Sequence, residues 1–104
     1  WADATETFER QSGDCEDFAF LTAKILKILG YGPQIMAFMR DGRAHAVCVV
    51  QSDGQYHWFD NGELKKTATR DLSSFAAEVA RQYHLASVWK LNSDQKSWRL
   101  TYKS

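Results

Sequence analysis

A strong charge of either sign is missing from this sequence. Its 104 residues hold 13 Lys and Arg against 13 Asp and Glu, a formal net charge of zero. Nucleic-acid binders normally carry a basic excess that neutralises phosphates, and polybasic membrane-surface modules carry one for anionic lipid. The zero balance argues against both. A long apolar run is missing too. No stretch approaches the roughly 18–20 residues that cross a bilayer. No signal-peptide pattern opens the chain, and a first residue of Trp1 reads as the start of a trimmed or processed chain. Cysteine is scarce: Cys15 and Cys48 are the two. They allow one bridge but no disulfide scaffold. With His45, His57 and His84 they make no zinc-site spacing. Internal repeats and low-complexity segments are absent as well. What is present is 44% hydrophobic residues, the share of a packed globular core, at a length that suits one domain over 1–104.

Charge is unevenly distributed along the chain. Residues 1–17 hold six acids (Asp3, Glu6, Glu9, Asp14, Glu16, Asp17) and one base, and residues 81–104 hold five bases and one acid. The periodicity predicts a helix over Asp14 to Leu29. Phe18, Leu21, Ile25, Ile28 and Leu29 form its apolar stripe, widened by Ala23 and Leu26, so the helix is expected to be buried on most sides. Ser12, Gly13 and Asp14 mark its start, and Gly30 and Gly32-Pro33 its end. A weaker helix is expected over 3–11. Strands are expected over 34–40, 44–51 and 55–61, with turns at Asp41-Gly42 and at Ser52-Asp53-Gly54. A second helix over 71–83, capped by Asp71, and two closing strands over 86–91 and 98–102 complete an α+β pattern.

Within that pattern Cys15 falls in the first turn of the long helix. A helix N-terminus offers unpaired backbone N–H groups and partial positive charge, which favour a thiolate and suit an oxyanion. Asp14, Glu16 and Asp17 act in the opposite direction, because nearby negative charge raises a thiol pKa. Cys48, between Val47 and Val49, reads as a buried structural residue. A thiol nucleophile needs a base, normally His, held by a third group. A two-residue Asp53-Gly54 turn makes Ser52 face Gln55, Val47 face Asp60 and His45 face Gly62. His45 and Asp60 are then diagonal neighbours on one face, within roughly 7–8 Å between Cα atoms. His57 points to the opposite face, and His84 reads as surface. Trp58 shares the face of Asp60, either packed over the His–Asp pair or in an ordinary aromatic contact.

These residues resemble the transglutaminase-like superfamily of papain-type thiol enzymes. Gly13-Asp14-Cys15-Glu16-Asp17-Phe18-Ala19, before an apolar helix ending at Leu29-Gly30-Tyr31, is similar to its nucleophile motif. Ala4 to Arg10 is similar to the short helix that precedes the cysteine in that family. His45 in Ala44-His45-Ala46-Val47 and Asp60 in Trp58-Phe59-Asp60-Asn61 match its histidine and aspartate, although Asn61 stands where many members have proline. The Asp-Cys-Glu-Asp core looks most like the bacterial transglutaminase-like cysteine proteinases. The likeness covers about residues 4–62.

The resemblance implies a Cys-bearing helix packed on an antiparallel sheet that carries His and Asp. It implies acyl chemistry through a thioester, with Cys15, His45 and Asp60 as the triad, the Cys15 N–H as an oxyanion donor and Gln11 as a candidate second donor. Hydrolysis of a peptide, isopeptide or carboxamide bond ranks first, amine transfer second, and a binding module that keeps the fold without catalysis third. A protein or peptide substrate is implied, with no cofactor. Some members of that kind bind calcium through acids flanking the cysteine, here Asp14, Glu16 and Asp17. Relatives are often extracytoplasmic, so a periplasmic or secreted bacterial setting is the expectation.

Overall fold

The computed structural model describes residues 2–3, 14–60 and 62–104, with side chains from Asp17 onward. In chain order the elements are β1 (Ala2–Asp3), α1 (Asp14–Ile28), β2 (Gln34–Arg40), β3 (Arg43–Ser52), β4 (Gln55–Asp60), β5 (Glu63–Lys66), α2 (Leu72–Tyr83), β6 (Ser87–Leu91) and β7 (Trp98–Lys103). Asp3, expected in a helix, lies in β1. The rest of that expected helix lies outside the described residues, as do Gln11 and Asn61.

All strand pairs are antiparallel, in the order β5-β4-β3-β2-β6-β7, with β1 added to β3. Two Asp-Gly turns set the register of the central strands. Asp41 and Gly42 have φ of 52° and 74°, and Asp53 and Gly54 have 54° and 79°. Positive φ at both central positions is the type I′ geometry whose twist matches the flanking strands. Arg40 therefore pairs with Arg43, and Ser52 with Gln55.

Side chains alternate across the sheet, and a helix covers each face. On one face, Met36, Phe38, Val47, Val49, Trp58 and Val88 pack against Phe75, Ala76, Val79 and Ala80 of α2. Removing a side chain such as Phe38 or Phe75 from water stabilises the fold by about 1.5–3 kcal/mol. On the other face, Ala46, Cys48, Ile35 and Leu91 meet Ala19 of α1, with Phe20, Ala23 and Leu26 around them. No helix among the described residues is long and apolar enough to cross a membrane.

The expected inward stripe of α1 is corrected here. Phe18, Leu21, Ile25, Ile28 and Leu29 are exposed, Ile28 by 76%. The helix carries apolar residues on two sides, so periodicity alone does not choose between them. The sheet takes the side with Ala19 and Ala23, whose small side chains let the helix settle on Ala46 and Cys48. A second difference is β5, for which no strand was expected. Its sequence Glu-Leu-Lys-Lys has no β-branched or aromatic residue, and charged side chains protect such an edge strand from further pairing.

The second helix begins and ends as its caps dictate. The Asp71 carboxylate accepts from the Ser74 backbone N–H at 2.8 Å and from the Ser74 hydroxyl at 2.8 Å. These bonds, the backbone one foremost, hold its pKa below the usual carboxylate value. The cap is therefore at full strength above the usual carboxylate range and is lost as the pH falls through the depressed pKa. At the other end His84 takes a left-handed conformation, φ 56° and ψ 47°, with its N–H bonded to the Ala80 carbonyl. Glycine adopts that conformation without the Cβ penalty, so His84→Gly is expected to stabilise the domain by about 0.5–1 kcal/mol. Urea unfolding of the two proteins checks it, and a lower midpoint for the variant refutes it.

Candidate active site

The hairpin register carries His45 and Asp60 to one place. Cys48 pairs with Phe59 and Val49 with Trp58, so one further step sets Asp60 beside Val47 and diagonal to His45. His45 Nε2 and Asp60 Oδ1 are 2.8 Å apart. An ionised carboxylate only accepts, so Nε2 carries the proton of this bond and Nδ1 is the basic nitrogen of the neutral ring. His45 is buried, 6% exposed, and pairs across β2 with Phe38. The Asp60 side chain is 36% exposed. One end of the dyad is thus held in the sheet while the other borders solvent.

The surroundings of the dyad are aromatic on one side and charged on the other. Trp58, 3% exposed, stands edge-on to Phe38 with centroids 5.1 Å apart, and edge-on to Tyr83 at 5.6 Å. Its part is thus an aromatic packing contact on the dyad's face. Glu63 is the cross-strand partner of Asp60, a like charge placed directly opposite. Lys65 Nζ lies 3.3 Å from Glu63 Oε1 and offsets that charge. The hydrogen bond to Glu63 raises the Lys65 pKa, with further upward contributions from Tyr83 and Asp60. Glu63 and Lys65 escaped the sequence reading because β5 did. The dipeptide Asn61-Gly62 after an aromatic strand is the hairpin signal that points to them.

Cys15 is the second residue of α1, and its side chain lies outside the described residues. Its position follows from lengths. α1 has 15 residues and β2 has 7, spans of about 22 Å and 23 Å, joined by residues 29–33. The first turn of α1 therefore returns to the end of the sheet that holds Arg40, Arg43 and His45. Cys15 is also one turn before Ala19, which packs with Ala46. Strand alternation puts His45, Asp60 and Trp58 on the face covered by α2, whereas α1 lies on the other. Any meeting of Cys15 with His45 thus takes place at the end of the sheet. There β1 and β4 share one edge of β3, at 43–44 and 48–52, and the His45–Asp60 contact bridges the interval.

A family model described as a transglutaminase-like domain matches residues 2–89. The chain belongs to the transglutaminase-like family. No match was found among curated proteins or among solved structures. The α+β architecture of this transglutaminase-like domain, with two helices on an antiparallel sheet among the described residues, is compatible with that family.

The remaining titratable residues take other places. Cys48 is fully buried, and burial pushes its thiol up to about 11. It sits between Ile35 and Phe59 with Ala46 and Ala19 near it, and no polar group of that cluster offers a hydrogen bond. Cys48→Ser is expected to cost about 1–3 kcal/mol, because the hydroxyl is buried unpaired. Cys48→Ala is expected to leave activity intact. Denaturation midpoints and turnover of the two variants check this. His57 points to the face opposite Asp60, and His84 is exposed at the end of α2. Asp17 is exposed, while the side chains of Asp14 and Glu16 lie outside the described residues.

Proposed function

We propose that this transglutaminase-like domain is a cysteine-dependent hydrolase of peptide, isopeptide or carboxamide bonds. The observation that carries the reading is the 2.8 Å contact between buried His45 and Asp60 in a chain of this family. In the proposed reaction the Cys15 thiol gives its proton to Nδ1 of His45, and the sulfur attacks the acyl carbon. Asp60 holds Nε2–H and stabilises the imidazolium. The backbone N–H of Cys15, at the open end of α1, receives the oxyanion. The C–N bond then breaks, and the proton on His45 goes to the leaving amine. Water, deprotonated by His45, attacks the thioester, releases the acid and restores the thiol.

What supports Cys15 as nucleophile is its place in the first turn of α1, at the end of the sheet that holds His45. What supports hydrolysis over amine transfer is the Asp-Cys-Glu-Asp motif, which resembles that of the bacterial transglutaminase-like cysteine proteinases. The test offers glutamine-containing and isopeptide-linked peptides together with a fluorescent amine. The expected result is release of free acid and amine, with deamidation faster than incorporation of the label. Faster incorporation makes the domain a cross-linking enzyme. No turnover and no acyl-enzyme by intact mass leaves a binding module.

A further inference from the structure

A cavity of about 610 Å³ lies along the C-terminal half of α1. Its lining on that helix begins at Phe20, about 8 Å along the axis from Cys15, and runs to Lys27, about 18 Å away. Its floor is apolar, built from Phe20, Ala23 and Leu91, and its rim carries Lys24, Lys27 and Lys90. In a chain with as many acids as bases, three lysines and no acid in one lining are a local excess of positive charge. The neighbouring acid is turned away. Asp94 accepts from the backbone N–H groups of Lys96 and Ser97 and from the Ser97 hydroxyl, at 2.9, 3.0 and 2.7 Å. Its carboxylate is thereby committed to its own loop and does not neutralise the rim.

A second observation points the same way. Gln34 lines the cavity, and its Oε1 is buried with no hydrogen-bond partner among the described residues. A buried acceptor is ordinarily satisfied, so this one is set to take a donor from outside. The half-exposed Tyr31 adds apolar surface to the same lining. An apolar floor, a cationic rim and an unmet amide acceptor fit one kind of occupant. It is an extended peptide with apolar side chains for the floor, carboxylates for the lysines and a backbone N–H for Gln34.

We propose that this cavity docks an acidic, apolar segment of the substrate protein, remote from the bond that is cleaved. The word substrate rests on the hydrolase reading, whereas the binding does not. Docking along the C-terminal half of α1 raises the local concentration of the scissile region at Cys15 without any contact at the reacting atoms.

The test uses the whole domain, an isotope-labelled amide spectrum and two fluorescent hexapeptides, one alternating Glu with Leu and one alternating Lys with Leu. The acidic peptide is expected to shift the amides of Lys24, Lys27, Gln34 and Lys90 and to leave His45 unmoved. It should bind at least about tenfold more tightly than the basic one at low ionic strength, an advantage that added salt erodes. Lys27→Glu combined with Lys90→Glu is expected to remove that advantage, while Cys15→Ala keeps it. Equal binding of the two peptides overturns the proposal, as do shifts that map elsewhere. Shifts at these four amides with dodecanoate but not with the acidic peptide also overturn it, in favour of a lipid-like anion. An inactive domain that still binds the acidic peptide here sinks the hydrolase reading and leaves the docking site standing. An active domain without these shifts does the reverse.

Discussion

Cys15→Ala is expected to lower kcat by at least about 10³-fold while leaving the melting temperature close to that of the parent, because it removes the nucleophile and no part of the described core. The same reading fixes which thiol reacts. Iodoacetamide should label Cys15 in the folded domain and leave Cys48 untouched until urea is added. Cys48 has no exposed surface and a thiol held near 11, so at neutral pH only on the order of one molecule in 10⁴ carries a thiolate there, and no reagent reaches it. Around Cys15 two influences compete. The open N–H groups and partial positive charge at the start of α1 favour the thiolate, and Asp14, Glu16 and Asp17 oppose it. If His45 stands beside Cys15 as an imidazolium, as the proposed mechanism requires, the balance tips to the thiolate and the labelling rate should rise with a midpoint below the ordinary thiol value of about 8.5. Equal labelling of both cysteines in the folded state, or of neither, defeats the assignment. Turnover retained by Cys15→Ala defeats it outright.

The parts of the fold that could be read in advance are those in which local chemistry leaves one choice. Asp53-Gly54 admits a two-residue turn with positive φ at both positions. That turn pairs Ser52 with Gln55, and the two-residue alternation of the strands then brings His45 to Asp60. The Asp71 cap with Ser74 and the Gly30 end of α1 are legible for the same reason. Where the chain offered two answers, sequence was silent. Helix α1 is apolar on two sides, and the choice between the Phe18 stripe and the Ala19 side belongs to the sheet, through the small residues Ala46 and Cys48. Strand β5 has nothing in its four residues that favours a strand. It forms because Trp58, Phe59 and Asp60 present an edge to Lys65, Leu64 and Glu63. The site shows the same division. The His–Asp contact follows from turn chemistry, whereas the Glu63–Lys65 pair beside it sits on a strand whose own residues give no signal and which only the preceding Asn61-Gly62 dipeptide announces.

Asp60→Asn is expected to reduce kcat/KM by on the order of 10²–10⁴-fold, the range that loss of an orienting carboxylate produces in triad enzymes. The carboxylate accepts a hydrogen bond from Nε2–H of His45 and so leaves Nδ1 basic. A carboxamide in its place can donate as well as accept. It therefore lets the ring adopt the tautomer in which Nδ1 carries the proton and cannot take one from a thiol. It also withdraws the negative charge that stabilises the imidazolium. Both losses fall on the chemical step, so kcat should carry the effect and KM should move little. A structural contribution is expected too. His45 is only 6% exposed, and a buried donor left with a poorer partner costs about 1–3 kcal/mol, which lowers the unfolding midpoint. The pH dependence of Cys15 alkylation separates the two. If Asp60 serves the reaction, the midpoint rises towards that of an ordinary thiol in Asp60→Asn and returns part of the way in Asp60→Glu. If Asp60 only braces the sheet, stability falls while the alkylation profile stays where it was. Unchanged kcat/KM in Asp60→Asn removes Asp60 from the mechanism, and a hydrolase built on Cys15 and His45 alone would then have to orient the imidazole by its packing against Phe38.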